Sequence, residues 1–204
     1  MKNTLTAGTP IAEAKKALIM IHGRGAEAQD ILSLSRHLNV DGFALLAPQA
    51  TANSWYPLSF LAPPKDNEPS LTNALDKLTE LVAELEAQGI EKSNIYFLGF
   101  SQGACLATEF AARNAARYGG VVAFTGGLIG DHIYTENYKG NFSGTPVFIG
   151  TSNPDFHVPV QRVLDTEQVL KSMGANVTVK VYDNMPHTIV QDEIDMANEL
   201  LFNQ

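Results

Sequence analysis

Six short apolar runs recur along this chain of 204 residues, and each one ends in a turn or a loop. Runs of this length are typical of buried strands, because buried helices need longer apolar segments. Helical stripes or irregular segments separate the runs. Buried strands that alternate with helices pair in parallel, with helices on both faces of the sheet. The sequence therefore predicts an α/β fold with a mostly parallel central sheet. The predicted strands are residues 17–21, 43–47, 94–100, 121–124, 146–151 and 177–182.

Apolar residues at helical spacing predict the helices. The clearest stripe runs through residues 71–85, and Gly89 follows it where a helix C-terminus favours glycine. The alternation of residues 177–182 predicts that this last strand lies at an edge of the sheet. No repeat or change of composition divides the chain, so we expect one domain over residues 1–204. Further helices are predicted over residues 28–38, 104–115, 160–173 and 194–201.

Composition excludes several classes of function. The net charge is −8 and no basic stripe is present, which argues against a nucleic-acid partner. One cysteine, Cys105, excludes an internal disulfide or a multi-cysteine metal site, and no other cluster has metal-ligand spacing, so we expect no metal. The N-terminal segment lacks the apolar centre of a secretory signal, and no apolar run could span a bilayer. We therefore expect a cytoplasmic protein, as a monomer or a homodimer.

The stretch GFSQG, from Gly99 to Gly103, matches the pattern G-x-S-x-G between a predicted strand and a predicted helix. This is the pattern of a nucleophile elbow, a strained turn that exposes a serine at the carboxyl end of a strand. Ligands bind at those ends in parallel sheets. Such a pattern also occurs as a plain glycine turn, but its position between strand and helix favours Ser101 as a nucleophile.

A serine nucleophile needs a base that a third group orients, and in this fold the chain order is serine, acid, histidine. His187 follows the last predicted strand and is the candidate base. Asp155 follows the fifth strand and is the candidate acid, with Asp131 and Asp183 as alternatives. An unperturbed histidine has a pKa of about 6.5, so activity should fall in mild acid.

Acyl transfer also needs hydrogen-bond donors for the oxyanion. One predicted donor is the backbone N–H of Gln102, at the start of the helix after the elbow. The other is the backbone N–H of Arg24, in the glycine-rich loop after the first predicted strand. For the Arg24 side chain two alternatives are open: it binds an anionic substrate group, or it lies in solvent.

A long aperiodic segment follows residue 48 and a second one follows residue 124. Apolar side chains in such segments either line a substrate pocket or anchor the loops to the core. Cys105, one turn past the elbow, is expected to be a small buried residue. The candidate pocket residues are Trp55, Phe60, Leu61 and Leu128.

Together these motifs resemble the phospholipase/carboxylesterase family of α/β-hydrolases, which includes acyl-protein thioesterases and small bacterial carboxylesterases. The resemblance rests on HGRGA at residues 22–26, GFSQGA at 99–104, D-x-x-V-P at 155–159, the loop around His187, and the segment 48–63. It implies a minimal α/β-hydrolase fold and hydrolysis of small-molecule carboxylic esters or thioesters. It also implies a Ser101, Asp155 and His187 triad and no cofactor.

The sequence is also compatible with other functions. A thioesterase or a dienelactone-type lactone hydrolase would use the same residues. A non-catalytic binding module on a hydrolase scaffold is the alternative outside enzymes, since fold alone does not establish activity.

Overall fold

The computed structural model describes residues 3–203, which form a seven-stranded sheet with helices on both faces. The strands are β1 (Thr4–Gly8), β2 (Lys16–Ile21), β3 (Phe43–Pro48), β4 (Ile95–Phe100), β5 (Gly120–Phe124), β6 (Pro146–Asn153) and β7 (Asn176–Asp183). Their order in the sheet is β1-β3-β2-β4-β5-β6-β7. Every neighbouring pair is parallel except β1 and β3. The predicted parallel sheet is confirmed, and β7 lies at an edge as expected.

The helices divide between the two faces of the sheet. They are α1 (Ala28–Ser33), α2 (Ser70–Ala87), α3 (Gln102–Arg113), α4 (Val160–Ser172) and α5 (Gln191–Ala197). One apolar core joins α2, α3 and α4 to alternate strand residues such as Ile19, and a second core joins α1 and α5 to the intervening ones, such as Met20. Both faces of the central strands are therefore buried, which explains why their sequences are continuously apolar.

The largest differences from the prediction concern two elements. Strand β1 was not expected, and it pairs antiparallel with β3 from Thr4 opposite Pro48 to Gly8 opposite Ala44. Its residues are mostly exposed, Leu5 included, so no buried apolar pattern marks it in the sequence. The helix predicted over residues 28–38 is shorter, because α1 ends at Ser33 and a 3₁₀ turn, Leu34–His37, follows it.

A buried carboxylate stands at the start of α5, directly after the loop that carries His187. Glu193 is fully buried, and its Oε2 accepts a 3.0 Å hydrogen bond from the Val190 backbone N–H. Its Oε1 faces Gly150 on β6 and has no hydrogen-bond partner among residues 3–203. Burial raises the pKa of Glu193 to about 7. The hydrogen bond from the Val190 N–H lowers this pKa, but by less than burial raises it.

Stability should therefore fall as pH rises from about 4.5 to about 7, where folded Glu193 holds a proton that the unfolded chain releases. The contribution of this one group is about 3 kcal/mol across that window. Urea unfolding at pH 5 and pH 8 measures it. The variant Glu193→Gln should lose much of this pH dependence, whereas Glu199→Gln, at an exposed position on the same C-terminal segment, should keep it. An equal pH dependence in all three proteins would contradict the assignment.

Candidate active site

Ser101 stands alone between β4 and α3, in a backbone conformation that serine rarely adopts. Its φ is 54° and its ψ is −117°. Close backbone contacts hold this turn. A Cβ on Gly99 would lie 2.3 Å from the Gly103 carbonyl oxygen, and a Cβ on Gly103 would lie 2.1 Å from the Ile21 carbonyl oxygen. Only glycine fits at either position, so α3 packs against β2 and β4 and holds Ser101 in its strained turn.

The loops after β6 and β7 bring two side chains to Ser101. His187 Nε2 lies 2.8 Å from Ser101 Oγ, and His187 Nδ1 lies 2.7 Å from Asp155 Oδ2. With its proton on Nδ1, the ring donates to the carboxylate and accepts from the serine hydroxyl. The other carboxylate oxygen accepts from the backbone N–H groups of His157, at 2.7 Å, and Val158, at 2.9 Å. The three predicted residues therefore form one hydrogen-bonded chain.

Asp155 is held in its ionised form. Its side chain is only 1% exposed, and this burial alone would raise its pKa. The hydrogen bonds from His187 and from the backbone N–H groups of Val158 and His157 outweigh burial, so the pKa of Asp155 lies below its ordinary value. A carboxylate that stays charged near neutral pH can orient the imidazole and stabilise its protonated form.

The two alternative acids lie elsewhere. Asp131 accepts a 2.7 Å hydrogen bond from the Tyr134 hydroxyl and lies 3.5 Å from His132 Nδ1, at an exposed position. Asp183 is the last residue of β7 and pairs with Asn153 in the sheet. Within residues 3–203, neither carboxylate bonds to His187.

The loop after β2 is organised around a buried histidine. His22 Nδ1 lies 2.7 Å from the Gly23 carbonyl oxygen, and His22 Nε2 accepts from the Ala50 backbone N–H at 3.1 Å. Burial lowers the pKa of His22, which favours the neutral ring that this pattern requires. In a planar trans peptide the C=O and the next N–H point in opposite directions. Holding the Gly23 carbonyl therefore also sets the direction of the Arg24 N–H.

The backbone N–H groups of Arg24 and Gln102 have no protein acceptor among the residues that the structure describes. The Gln102 side chain is buried and makes hydrogen bonds to the neighbouring loop, the two shortest of which involve the main chain. Its Oε1 accepts from the Trp55 backbone N–H at 2.9 Å, and its Nε2 donates to the Tyr56 carbonyl at 2.8 Å. This role of the Gln102 side chain could not be predicted, because nothing in the pattern G-x-S-x-G distinguishes a buried glutamine from an exposed one.

The Arg24 side chain makes hydrogen bonds within the protein, which neither of its two predicted roles included. Its guanidinium donates to the Pro57 carbonyl at 2.7 Å and to the Leu58 carbonyl at 2.5 Å. These bonds attach the glycine-rich loop to the long segment between β3 and α2. Arg24 thus braces one wall of the site.

A cleft of about 410 Å³ opens beside Ser101 and His187. Of the four predicted pocket residues, Phe60 lines it. Trp55 lies buried behind the wall, where its indole N–H donates to the His22 carbonyl at 2.9 Å. Leu128 is fully buried, and Leu61 packs partly buried against the core. The cleft wall also includes Tyr56, Pro57, Leu58, Ser59, His157 and Val158.

Cys105 lies in the wall of the cleft and is 1% exposed, so its predicted burial is confirmed. Burial raises the pKa of its thiol to about 12, which keeps the sulfur protonated and unreactive near neutral pH. Cys105 lies four residues after Ser101, at the start of α3, and residues at this spacing lie on the same side of a helix. The spacing in the sequence therefore already indicated that Cys105 is close to Ser101. Within residues 3–203, no three histidine, cysteine or acidic side chains converge as metal ligands would.

The model of the Phospholipase/Carboxylesterase family matches residues 5–202, nearly the whole chain. The chain belongs to this family. Membership confirms the resemblance that the motifs indicated and makes the protein a serine hydrolase that acts on esters. It leaves no observation in favour of the binding-module alternative. No helix in the described part of the chain has the length and apolar character needed to cross a membrane.

Relatives of the family support both fold and class. The crystal structure of a phospholipase/carboxylesterase from Dyadobacter fermentans has a TM-score of 0.97 at 54% identity, covering 98% of this chain and 96% of that one. Acyl-protein thioesterase 1 from Saccharomyces cerevisiae is 27% identical and covers 95% of this chain and 94% of its own. A probable carboxylesterase from Arabidopsis thaliana is 24% identical over 92% of this chain and 78% of its own.

Proposed function

We propose that the protein hydrolyses small carboxylic esters through an acyl-enzyme on Ser101, with His187 as the base and Asp155 as the group that orients it. The observation that carries this proposal is the continuous hydrogen-bonded chain of the three side chains, with distances of 2.8 Å and 2.7 Å. The reaction needs no cofactor, and the single domain predicted over residues 1–204 supplies every group.

In the first half of the reaction, Ser101 Oγ attacks the carbonyl carbon of the ester while His187 Nε2 takes the hydroxyl proton. The tetrahedral intermediate carries its negative charge on the former carbonyl oxygen. When the intermediate collapses, the bond to the leaving oxygen breaks, and protonated His187 gives its proton to the departing alcohol. Water then attacks the acyl-enzyme by the same route and releases the carboxylic acid with free Ser101.

The backbone N–H groups of Arg24 and Gln102 are the donors that we assign to the oxyanion. Two features support the assignment: both lack a protein acceptor among the described residues, and both are held by side-chain hydrogen bonds nearby. The bonds that hold the Gly23 carbonyl and the Gln102 side chain are in place before substrate arrives. Donors fixed in advance need no reorganisation as charge develops, which is the main source of such stabilisation.

Thioester hydrolysis is a second candidate, since a relative over nearly the full chain is named an acyl-protein thioesterase. The proposed groups can act on an ester, a thioester or a lactone. Values of kcat/KM for an oxygen ester, a thioester and a lactone with matched acyl groups separate the three. We expect the oxygen ester to be the best substrate.

The direct test of the nucleophile is the intact mass after treatment with a fluorophosphonate. We expect one adduct on the native chain and none on Ser101→Ala, because only an activated serine displaces fluoride from phosphorus. Ser172→Ala removes an exposed serine at the end of α4 and should label like the native chain. An unlabelled native chain, or an adduct that persists in Ser101→Ala, would overturn the assignment.

A further inference from the structure

We infer that the cleft selects esters that also carry a free carboxylate, and that the Arg24 guanidinium binds this anion. The inference rests on the proposed function and names the substrate class of the same site. It starts from a charge that the structure leaves without a counter-ion. Among residues 3–203, no carboxylate lies within 4.0 Å of the Arg24 guanidinium, although the chain has 22 acidic residues and only 14 basic ones.

The guanidinium is already held in place. Two of its N–H groups donate to the carbonyls of Pro57 and Leu58, which fixes the plane of the group at the cleft wall. A guanidinium has five N–H donors, so three remain for a ligand. Because the side chain is ordered before binding, little conformational entropy is lost when an anion arrives. Planar, forked donors of this kind suit a carboxylate.

The rest of the cleft presents no opposing charge. Among residues 3–203, Arg24 is the one arginine or lysine in its lining, and no aspartate or glutamate lines it. Asp155 is close in sequence to His157 and Val158 of the wall, but its side chain is 1% exposed and is bonded to His187. An anionic substrate group therefore meets one fixed cation and no exposed carboxylate. The overall charge of −8 would repel an anion at long range, so any preference must arise locally at Arg24.

Arg24 also stands close to the reacting atoms, because its own backbone N–H is the proposed oxyanion donor. Since the Arg24 side chain starts at this loop and lines the cleft, a carboxylate a few bonds from the scissile carbonyl can reach the guanidinium. Two matched pairs of esters test this on either side of the bond. Monoethyl glutarate against ethyl pentanoate places the carboxylate in the acyl part. The 3-acetoxypropanoate anion against propyl acetate places it in the alcohol part.

The measurement is the ratio of kcat/KM for the charged ester to that for its neutral partner. We expect at least one pair to favour the charged ester in the native enzyme, and Arg24→Gln to lower that ratio by roughly tenfold, mainly through KM. Arg24→Lys keeps the charge and loses the fork, so it should retain part of the preference. Raising the salt concentration to about 0.5 M should lower the ratio in the native enzyme and in Arg24→Lys, which have a cation at position 24, but not in Arg24→Gln.

The expected result is different if Arg24 only stabilises the cleft wall and does not bind the anion. Losing the bonds to Pro57 and Leu58 would then slow charged and neutral esters by the same factor, leave the ratio unchanged, and overturn the inference. Failure of the proposed function is recognised separately, by a native chain that neither labels with fluorophosphonate nor cleaves any ester. Calorimetric binding of the preferred charged ester to Ser101→Ala, with and without Arg24→Gln, tests the anion site without turnover. Equal affinities in these two variants would also overturn it.

Discussion

Replacing Asp155 with asparagine is expected to lower kcat by about 10⁴-fold while changing KM by less than about threefold. The structure gives a specific reason. One oxygen of Asp155 accepts the backbone N–H groups of His157 and Val158, so the asparagine carbonyl must occupy that position. The amide NH₂ would then face His187 Nδ1 and donate to it. The imidazole would carry its proton on Nε2, facing Ser101, and could no longer take the serine proton.

The matched control for this prediction is Asp131→Asn. Asp131 is the other candidate acid from the sequence, and it bonds to Tyr134 at an exposed position instead of to His187. Its replacement should leave kcat within about twofold. Steady-state kinetics on one neutral ester compare the two variants. If Asp155→Asn kept more than about a tenth of the native kcat, Asp155 would not be the orienting group.

Replacing Gly103 with alanine is expected to lower the free energy of unfolding by about 3 kcal/mol or to prevent folding. The added Cβ would lie 2.1 Å from the Ile21 carbonyl oxygen and 2.6 Å from the His22 carbonyl oxygen. Both are backbone atoms of the central sheet and its following loop, so neither can move aside as a side chain would. Relief requires α3 to move away from β2, which displaces Ser101 as well. Urea unfolding and the kcat of the folded fraction measure both consequences.

Gly144→Ala separates this contact from the general cost of replacing a glycine. Gly144 has a φ of +78°, and an added Cβ there would meet nothing within 4 Å. The cost should be about 1 to 2 kcal/mol, from the backbone conformation alone. A Gly103→Ala variant no less stable than Gly144→Ala would contradict the expected loss of about 3 kcal/mol and show that α3 can shift away from β2 at little cost.

The parallel part of the fold could be predicted because both faces of its strands are buried. Strand β2 is almost completely inaccessible, and its apolar run stands out from its surroundings. Strand β1 offered no such signal, since it is mostly exposed and its pairing with β3 runs through the backbone. Backbone pairing leaves little trace in side-chain types, so an exposed edge strand of five residues is hard to distinguish from a loop.

The candidate site could also be predicted only in part. The order of motifs along the chain predicted Ser101, Asp155 and His187 as partners, and their side chains do lie within hydrogen-bond distance. Their catalytic roles stay predictions. The cleft wall could not be predicted, because an aperiodic loop has no pattern that tells an inward side chain from an outward one. Trp55, expected in the pocket, instead anchors its loop by donating to the His22 carbonyl.

Between Trp55 and Leu58, the wall of the cleft is held by hydrogen bonds to its main-chain atoms. Gln102 holds the N–H of Trp55 and the carbonyl of Tyr56, and Arg24 holds the next two carbonyls. Buried Asn67 holds the Leu58 N–H at 2.8 Å. The side chain of Leu58 takes no part in these bonds and is 47% exposed. The residue type at position 58 is thus free to diverge, and directed evolution there could change substrate choice while the course of the loop is preserved.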